Sequence, residues 1–500
     1  MMKIGFKNFR RFKDFPMIEL GGCTFLVGPN NSGKSTLLKA IVHIENNRER
    51  RYYAGITDPI LWDFSFAPQE GHAEHFYLGD FLSNLNDNVQ EKEITFSFQS
   101  GKTDFSFVID GSSLVDGKPS VLVPLKNITA YDSELDICFE WDFINEKSGN
   151  VRYSYNPKVI INWLDNKYWY DVKYGRIDIH SGSIRKNIEN QFGGRFFKPL
   201  SPDKLDALRT EIDAYIAELE TVDDQQTKSE KFWANDVNRS LNDAQKRNRL
   251  LSSFLREAKS AIINDFKSTT TYKYIETHNA SHKVLLNPED KNDYLAQTVL
   301  QYNGIDVREQ DDAHKFVTHW MKEFKLGVNF TINPIYNEAY IVDVEGFDGK
   351  TKSIGYLGTG SIQLFILLLH IAMAISSHKK ITLYIEEPEQ NLHPALQSRL
   401  AEMFYEVWKN TDGKVEFLVE THSEYLVRQT QVIAAKAIDN GEYTTDEVND
   451  IFKVYYFPEE GLPYSMNYRQ NGYFEKPFGT GFYDASGNLS RELYKIDRRL

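Results

Sequence analysis

The stretch Phe25–Ile41, FLVGPNNSGKSTLLKAI, joins an apolar strand to a helix through a loop bounded by glycines. Gly28 and Gly33 enclose four residues and precede Lys34 and Ser35, which is the pattern of a phosphate-binding loop. Backbone amides and the positive end of the helix attract phosphate, Lys34 adds a point charge, and the Ser35 hydroxyl suits magnesium. The sequence therefore predicts a nucleoside triphosphate site.

Size, charge and cysteine content restrict the class of protein. The chain has 500 residues, of which 41% are apolar. A chain of this length is too long for a single hydrophobic core, so we expect at least two lobes. A formal net charge of -13 repels nucleic acid and acidic membranes over most of the surface. Cys23 and Cys138 lack the paired spacing of a zinc or disulfide framework, and a reducing compartment fits them. Without a signal-peptide core or a run of ~20 apolar residues, we expect a cytoplasmic protein with no membrane partner.

Two regions have the strand and helix alternation of one α/β nucleotide-binding head. The first, residues 1–111, contains the phosphate loop and the strand-like stretches EITFSF and DFSFVID. The second, residues 324–460, contains NFTINPI, AYIVDVEG, a buried apolar helix from Ser361, ITLYIEEPE, a helix over residues 394–409, and VEFLVE. This alternation predicts a mixed, partly parallel sheet flanked by helices.

The middle of the chain, residues 112–323, differs from the head halves. Apolar residues three and four positions apart predict helices over residues 205–219 and 251–262. Neither repeat lasts long enough for a coiled-coil arm, so we expect a compact, partly helical inserted lobe. Residues 461–500 form a separate C-terminal segment in this scheme.

An acidic strand end and a histidine are the next candidates for catalytic residues. In ITLYIEEPEQNLHP, Glu386 and Glu387 project from opposite faces of a strand, because successive side chains alternate. One can hold magnesium while the other orients the attacking water, as phosphoryl transfer requires. In FLVETHSEYLV, His422 ends a strand one helix further on, so we expect it at an adjacent strand's carboxyl end.

The stretch YLGTGSIQLF has a second potential anion site. Gly358 and Gly360 permit close backbone approach, and Ser361 can cap the apolar helix that follows. The chain already has a phosphate site at residues 28–35. A second phosphate-seeking helix end is best explained if it faces a nucleotide held by another chain.

These elements, in this order, resemble the heads of ABC-type ATPases. They are most similar to the soluble branch containing SMC, RecF and the OLD-like, PtuA-like and AriA-like ATPases of prokaryotic defence systems. The resemblance covers about 110 N-terminal residues and the region from Phe324 to Tyr456. It implies ATP and Mg²⁺ as cofactors and a head-to-tail homodimer, or a higher homo-oligomer, that closes around ATP.

The resemblance also implies roles for individual residues. Ser35 and Glu386 would hold the metal, Glu387 would be the catalytic glutamate, and His422 the switch histidine. This sequence departs from the family's pattern in two ways. Glu386 stands where an aspartate is usual, and the signature differs from the LSGGQ of transporters. The family has a glutamine between the two halves, and Gln69, Gln90 and Gln99 are all candidates for it. The nucleotide-binding set would be Gly28, Pro29, Asn30, Asn31, Ser32, Gly33, Lys34, Ser35 and Thr36, with Gly358, Gly360 and Ser361 as the signature.

The predicted function is an ATP-hydrolysing switch that controls a separate effector, such as a nuclease or toxin, in antiphage defence. The alternative is a DNA-clamping ATPase of the RecF or SMC kind, for which the basic strip KNFRRFK could contact phosphates. The acidic charge and the lack of long arms disfavour DNA as the main ligand. Little chain follows His422, which disfavours a built-in nuclease domain, and the insertion and signature disfavour a transporter subunit.

Overall fold

The computed structural model of the protein describes most of the chain with several gaps. The helix predicted over residues 205–219 lies almost entirely outside the described residues, as does the first part of the helix predicted over 251–262. The described ranges are 3–54, 63–67, 79–114, 120–145, 148–155, 256–267, 271–275, 282–336, 338–377 and 379–479, with a few single positions elsewhere.

The described strands form three sheets, and most of them coincide with the apolar or alternating stretches of the sequence. In chain order they are β1 (Lys3–Phe9), β2 (Phe12–Glu19), β3 (Cys23–Val27), β4 (Asp63–Ser65), β5 (Glu93–Ser100), β6 (Thr103–Asp110), β7 (Leu122–Asp132), β8 (Ile137–Asn145), β9 (Ser148–Tyr155), β10 (Thr271–Ile275), β11 (Asn329–Ile335), β12 (Ala339–Glu345), β13 (Thr351–Ser353), β14 (Ile381–Glu386), β15 (Val415–Thr421), β16 (Phe452–Tyr456) and β17 (Tyr464–Ser465).

The described helices alternate with these strands in the C-terminal half. A further helical segment covers residues 256–266. The labelled helices are α1 (Lys34–Ala54), α2 (Tyr294–Asn303), α3 (Val307–Glu323), α4 (Thr359–Ile375), α5 (Pro394–Asn410), α6 (Glu424–Asp439) and α7 (Thr445–Ile451), with short 3-10 turns at Leu82–Asn84 and Ile354–Tyr356.

The six-stranded sheet positions the candidate site. Its strand order is β10-β14-β15-β3-β16-β17, and every pairing is parallel except that of β16 with β17. All five residues of β3 are buried, as expected for an interior strand covered on both faces. The strand that enters the phosphate loop therefore lies between β15 and β16, with β14 one strand further away. The predicted mixed α/β fold is confirmed.

The second large sheet is antiparallel, with order β2-β1-β5-β6-β7-β8-β9 and with β4 paired to β7. Buried and half-buried residues alternate along β5 and β6, because one face packs against a core that includes α1. The sheet continues across the boundary predicted at residue 111, since β6 pairs with β7. The division of the chain into domains stays a prediction.

The other core surrounds α4, the apolar helix that the sequence predicts to be buried. Nearly all of its residues are buried, and Phe365 and Leu368 belong to the same cluster as Val317 of α3. Helices α2 and α3, which the sequence analysis assigned to the insertion, therefore share a core with the head. Within the described residues, no helix has both the length and the apolar character to cross a membrane.

Candidate nucleotide site

The loop between β3 and α1 has a backbone that only glycine permits at two positions. Gly28 has a φ of 147°, and a Cβ there would lie 2.2 Å from the carbonyl oxygen of Phe457. Gly33 has a φ of 99°, and a Cβ there would lie 2.5 Å from the ring of Phe12. Both glycines therefore allow the loop to pack tightly against Phe457, which directly follows β16, and against Phe12 of β2.

Lys34 is buried beside its own loop. Its Nζ donates to the carbonyl oxygen of Gly28 at 3.1 Å and to that of Pro29 at 2.9 Å, and lies 3.6 Å from a carboxylate oxygen of Glu420. Burial lowers the pKa of Lys34, and the negative charge of Glu420 opposes that shift. The ammonium group is thus fixed where a bound phosphate chain would meet it.

Ser35 contacts a carboxylate that the sequence analysis did not select. Its Oγ donates to Glu420, with distances of 2.9 and 3.1 Å to the two carboxylate oxygens. Glu420 lies on β15, is 5% exposed, and is the register partner of Glu386 on β14. Burial raises the pKa of Glu420 to about 7, although Lys34 favours its charged form.

Glu386 has a different neighbour. Its Oε2 accepts a hydrogen bond from the hydroxyl of Tyr274 on β10 at 3.1 Å. Because Glu386 and Glu420 are register partners on adjacent parallel strands, both carboxylates lie on the same face of the sheet. The sequence pairs Ser35 with Glu386 as metal ligands, whereas the direct contact of the Ser35 hydroxyl is with Glu420.

The structure brings together Glu387 and His422, which directly follow the adjacent strands β14 and β15. The Nε2 of His422 lies 3.5 Å from Oε1 of Glu387, whose other oxygen accepts from the Gln390 amide. One ligand atom from each of Glu387, Glu420 and His422 lies within 4.8 Å of the others. Burial, reinforced by the nearby charge of Lys34, lowers the pKa of His422. A neutral imidazole can accept or donate a hydrogen bond beside the Glu387 carboxylate.

Glu389 is the second residue that sequence reasoning missed. It is 6% exposed, and its Oε1 accepts a hydrogen bond from the backbone N–H of His422 at 2.7 Å. Burial raises the pKa of Glu389, because the charged form is poorly solvated there. The contact fixes the backbone at His422 relative to the loop that follows Glu387. The feature of the sequence that could have identified Glu389 is its place as the third acidic residue in EEPE.

A cavity of about 690 Å³ opens in front of the phosphate loop. Arg10 and Arg11, from the strip KNFRRFK, and Lys39 of α1 contribute its basic wall. Arg11 is held there by hydrogen bonds to the carbonyl oxygens of Asn31 at 2.7 Å and Glu459 at 2.5 Å. The loop residues lining the cavity are Asn31, Ser32, Gly33, Lys34, Ser35 and Thr36, and Glu420 also lines it.

Several predicted binding residues do not line this cavity. Gly28 and Pro29 act through their carbonyl oxygens on Lys34, and Asn30 is exposed. Gln69 lies outside the described residues. Among the residues that are described, the cavity wall includes Asn86 and Asn88 but neither Gln90 nor Gln99, so the family glutamine is not located.

The start of α4 differs in one respect from the prediction. The helix begins at Thr359 with Gly358 as its N-cap, and the N–H of Ser361 donates to the Gly358 carbonyl oxygen at 2.9 Å. Ser361 therefore lies inside the first turn and does not cap the helix, which is a correction. A Cβ on Gly360 would lie 2.4 Å from the carbonyl oxygen of Asn391. Gly358, Gly360 and Ser361 are not among the described residues that line the cavity.

Comparison with known proteins identifies the family. Residues 1–427 match the family described as AAA ATPase domain. The chain belongs to this family. The family match and the phosphate loop together make the protein an ATPase of the P-loop class. No curated protein matches the chain.

The ATPase also has weak likenesses to solved structures, whose TM-scores are too low to add to this assignment. One is the Smc head domain with an extended coiled coil bound to the C-terminal domain of ScpA from Pyrococcus furiosus (11% identity, TM-score 0.33, 99% of this chain and 100% of that chain). The others are the SmcHead bound to the C-winged helix domain of ScpA (12%, 0.32, 93% and 97%) and the SMC head domain from Thermotoga maritima (10%, 0.32, 93% and 98%).

The residues of this ATPase fit a magnesium nucleotide. Ser32 is 2% exposed, and its Oγ has no hydrogen-bond partner within the described structure, so a phosphate oxygen would satisfy it. The Ser35 hydroxyl and the Glu386 and Glu420 carboxylates are the oxygen ligands that magnesium prefers. Bound magnesium would neutralise charge on the phosphates. Lys34 would balance the remaining negative charge.

Proposed function

We propose that the protein is an ATP-driven switch: two chains close head to tail around ATP, and hydrolysis reopens them. The observation that carries this proposal is the separation of two phosphate-seeking helix ends. The start of α1 lines the cavity, whereas the start of α4 does not. Gly358 has no side-chain cap, and a Cβ there would meet nothing within 4 Å. This exposed helix end suits a nucleotide held by a second copy of the chain.

Hydrolysis within this proposal divides the work among residues of one chain. Lys34 and Ser35 hold the phosphates and the metal, and Glu387 orients or deprotonates the attacking water. The proximity of His422 to Glu387 supports a role in holding that carboxylate and responding to the γ-phosphate. Glu386 has the position of a metal carboxylate at the end of β14.

Mixing two inactive variants tests the composite site. Ser361→Arg places a bulky side chain where the partner's γ-phosphate would dock, so ATP should still bind each chain without closing the dimer. Lys34→Ala removes the phosphate charge and leaves the signature intact. A mixed dimer contains one site with an intact loop and an intact signature, so its activity should exceed that of either variant. Mixed dimers that stay inactive would argue against composite sites.

We also propose that the switch controls a separate effector, such as a nuclease or toxin, in prokaryotic antiphage defence. One physical link supports transmission of the ATP state away from the site. Arg48 of α1 donates to the carbonyl oxygen of Phe266 from Nε at 3.1 Å and from a terminal nitrogen at 2.7 Å. Helix α1 thus connects the phosphate loop to residues 256–267, about 21 Å along its axis.

The effector proposal has a direct biochemical test. The purified protein should leave plasmid DNA and RNA intact with ATP and magnesium, and should co-purify with the product of a neighbouring gene. Glu387→Gln should change the amount of that partner, because it stalls the closed state. Cleavage by the protein alone, abolished by changes outside the ATPase residues, would refute the switch.

A DNA-clamping ATPase is the alternative function. The basic strip that favoured it contributes Arg10 and Arg11 to the nucleotide cavity. Arg11 also bonds to two carbonyl oxygens there, and Arg10 donates to Asn84 at 3.0 Å. These contacts favour a role at the nucleotide over a role in duplex binding. Salt-sensitive binding of a DNA duplex in the presence of ATP would restore the alternative.

A further inference from the structure

We propose that Glu420 is a carboxylate of the magnesium site and sets the protein's affinity for the metal. The assignment rests on the ATP-binding role of the phosphate loop and is independent of dimerisation or of an effector. Glu420 occupies the end of β15, between the strand that carries the phosphate loop and the strand that carries Glu386. The sequence analysis quotes this residue within FLVETHSEYLV but gives it no role.

Glu420 contacts the hydroxyl of Ser35, the residue expected to bind the metal. Both carboxylate oxygens of Glu420 lie within 3.1 Å of the Ser35 Oγ, and one lies 3.6 Å from the Lys34 Nζ. A buried carboxylate that touches these two groups is positioned within reach of any ion held by Ser35. Carboxylate oxygen is the ligand type that magnesium prefers, alone or through water.

Several carboxylates lie close together around the buried Glu420 side chain. Glu420 is 5% exposed, and its side chain shares a sheet face with Glu386 and approaches Glu387. Like charges this close repel, and within the described residues Lys34 is the cation that contacts Glu420 directly. A divalent cation would relieve this repulsion. A purely structural role for residue 420 would not require the negative charge, because an uncharged amide side chain would fill it.

Glu420 also lies close to the two residues proposed to act in hydrolysis. One oxygen of Glu420 lies within 4.8 Å of ligand atoms of both Glu387 and His422. The same carboxylate therefore contacts the residue expected to hold magnesium and approaches the pair expected to handle water. A residue in this position is well placed to hold the metal beside the reacting phosphate.

Metal dependence of nucleotide binding provides the test. Fluorescence of the labelled nucleotide mant-ATP is measured in EDTA and then during a Mg²⁺ titration, with wild type and Glu420→Gln. We expect Glu420→Gln to bind mant-ATP in EDTA at least as tightly as wild type, because one negative charge is removed near the phosphates. The Mg²⁺ concentration giving half of the metal effect should rise by about 10- to 100-fold, as for lost supporting ligands.

A matched control lies on the same strand. Glu416 is four residues earlier, on the same face, and contacts Lys380 and Thr382 at the opposite end of β15. Glu416→Gln should leave the Mg²⁺ midpoint within about twofold of wild type. An equal shift in both variants would overturn the proposal, since general loss of charge on β15 would then explain it.

Two further variants keep the test decisive. Combining Ser35→Ala with Glu420→Gln should raise the Mg²⁺ midpoint by less than the product of the separate changes, because both act on one ion. If Glu420→Gln does not fold, Glu420→Asp, with its carboxylate withdrawn by one methylene, should still raise the midpoint. A wild-type midpoint in a folded Glu420 variant would overturn the proposal. Failure of wild type to bind mant-ATP at all would instead refute the nucleotide site itself.

Discussion

Gly360 packs against Asn391 so closely that a Cβ on Gly360 would lie 2.4 Å from the Asn391 carbonyl oxygen. The side-chain amide of Asn391 also donates to Oε1 of Gln363 at 3.0 Å. These contacts join the first turn of α4 to the loop after Glu387 within one chain. Because a closely packed interior is hardly compressible and transmits strain, the two segments should move together.

This contact predicts a difference between two neighbouring glycines. Gly360→Ala should destabilise the fold by about 1–3 kcal/mol, the usual cost of overpacking, and should lower ATP turnover. Gly358→Ala is the control, because Gly358 has a φ of -65° and open space where a Cβ would lie. Thermal unfolding of both variants checks the prediction, and equal melting temperatures would contradict it.

Glu387→Gln should separate binding from hydrolysis. The amide keeps the shape of the side chain but cannot accept the proton of the attacking water, so turnover should fall by at least about 100-fold. Binding of mant-ATP should change little. Single-turnover hydrolysis and nucleotide binding measured on the same preparation check this expectation. Hydrolysis at the wild-type rate would show that another group activates the water.

Lys34→Ala should act at the binding step. The change removes the ammonium group that lies over the Gly28 and Pro29 carbonyl oxygens and leaves Glu420 without its direct cation. We expect ATP affinity to fall more than the turnover of bound ATP. Equilibrium binding over a range of protein concentrations provides the measurement, and unchanged affinity would contradict the assignment of the loop.

Stability should depend on pH through Glu420. The pKa of this carboxyl rises from its ordinary value of 4.5 to about 7 on burial, so the folded chain holds the proton more tightly than the unfolded chain. Its contribution to the free energy of unfolding is therefore complete below pH 4.5 and is lost as the pH approaches 7. In EDTA, wild type should lose stability relative to Glu420→Gln across this window. The measurement is urea unfolding of both proteins at several pH values. A difference in the free energy of unfolding that stays constant across this window would contradict the prediction.

Arg48→Lys should weaken the attachment of residues 256–267 to α1. Lysine keeps the positive charge but cannot make both hydrogen bonds to the Phe266 carbonyl oxygen, so about 1 kcal/mol of local stability should be lost. Hydrogen exchange of residues 256–267 should accelerate and respond less to ATP. Arg428→Lys, at an exposed pair with Glu424, serves as the control. Unchanged exchange in Arg48→Lys would exclude this attachment as a route of transmission.

The sequence predicted the parts of the site that local patterns define. Gly28, Gly33, Lys34 and Ser35 follow a spacing that the turn itself requires, and the apolar strand ahead of Glu386 fixes where its carboxylate emerges. The contact of Ser35 with Glu420 could not be read in this way, because the two residues are 385 positions apart. It depends on β15 lying between β3 and β14, which is a property of the sheet order.

The same limit explains the treatment of the middle region. Alternation identified β5 and β6 correctly, but it could not show that β7, β8 and β9 extend the same antiparallel sheet. Helices α2 and α3 have apolar faces that match many partners, and only the packing against α4 places them in the head core. Pairing between distant segments decided both cases.

The position of β3 between β15 and β16 has a consequence for biosynthesis. Residues 23–27 leave the ribosome long before residues 415–456, which form both strands that flank them in the sheet. Until those late residues are made, the segment ahead of the phosphate loop has neither neighbour and exposes unpaired backbone, which favours aggregation and slow folding. Nascent chains should therefore depend on chaperone protection, and should acquire the ability to hold nucleotide only after residues 415–456 have been translated.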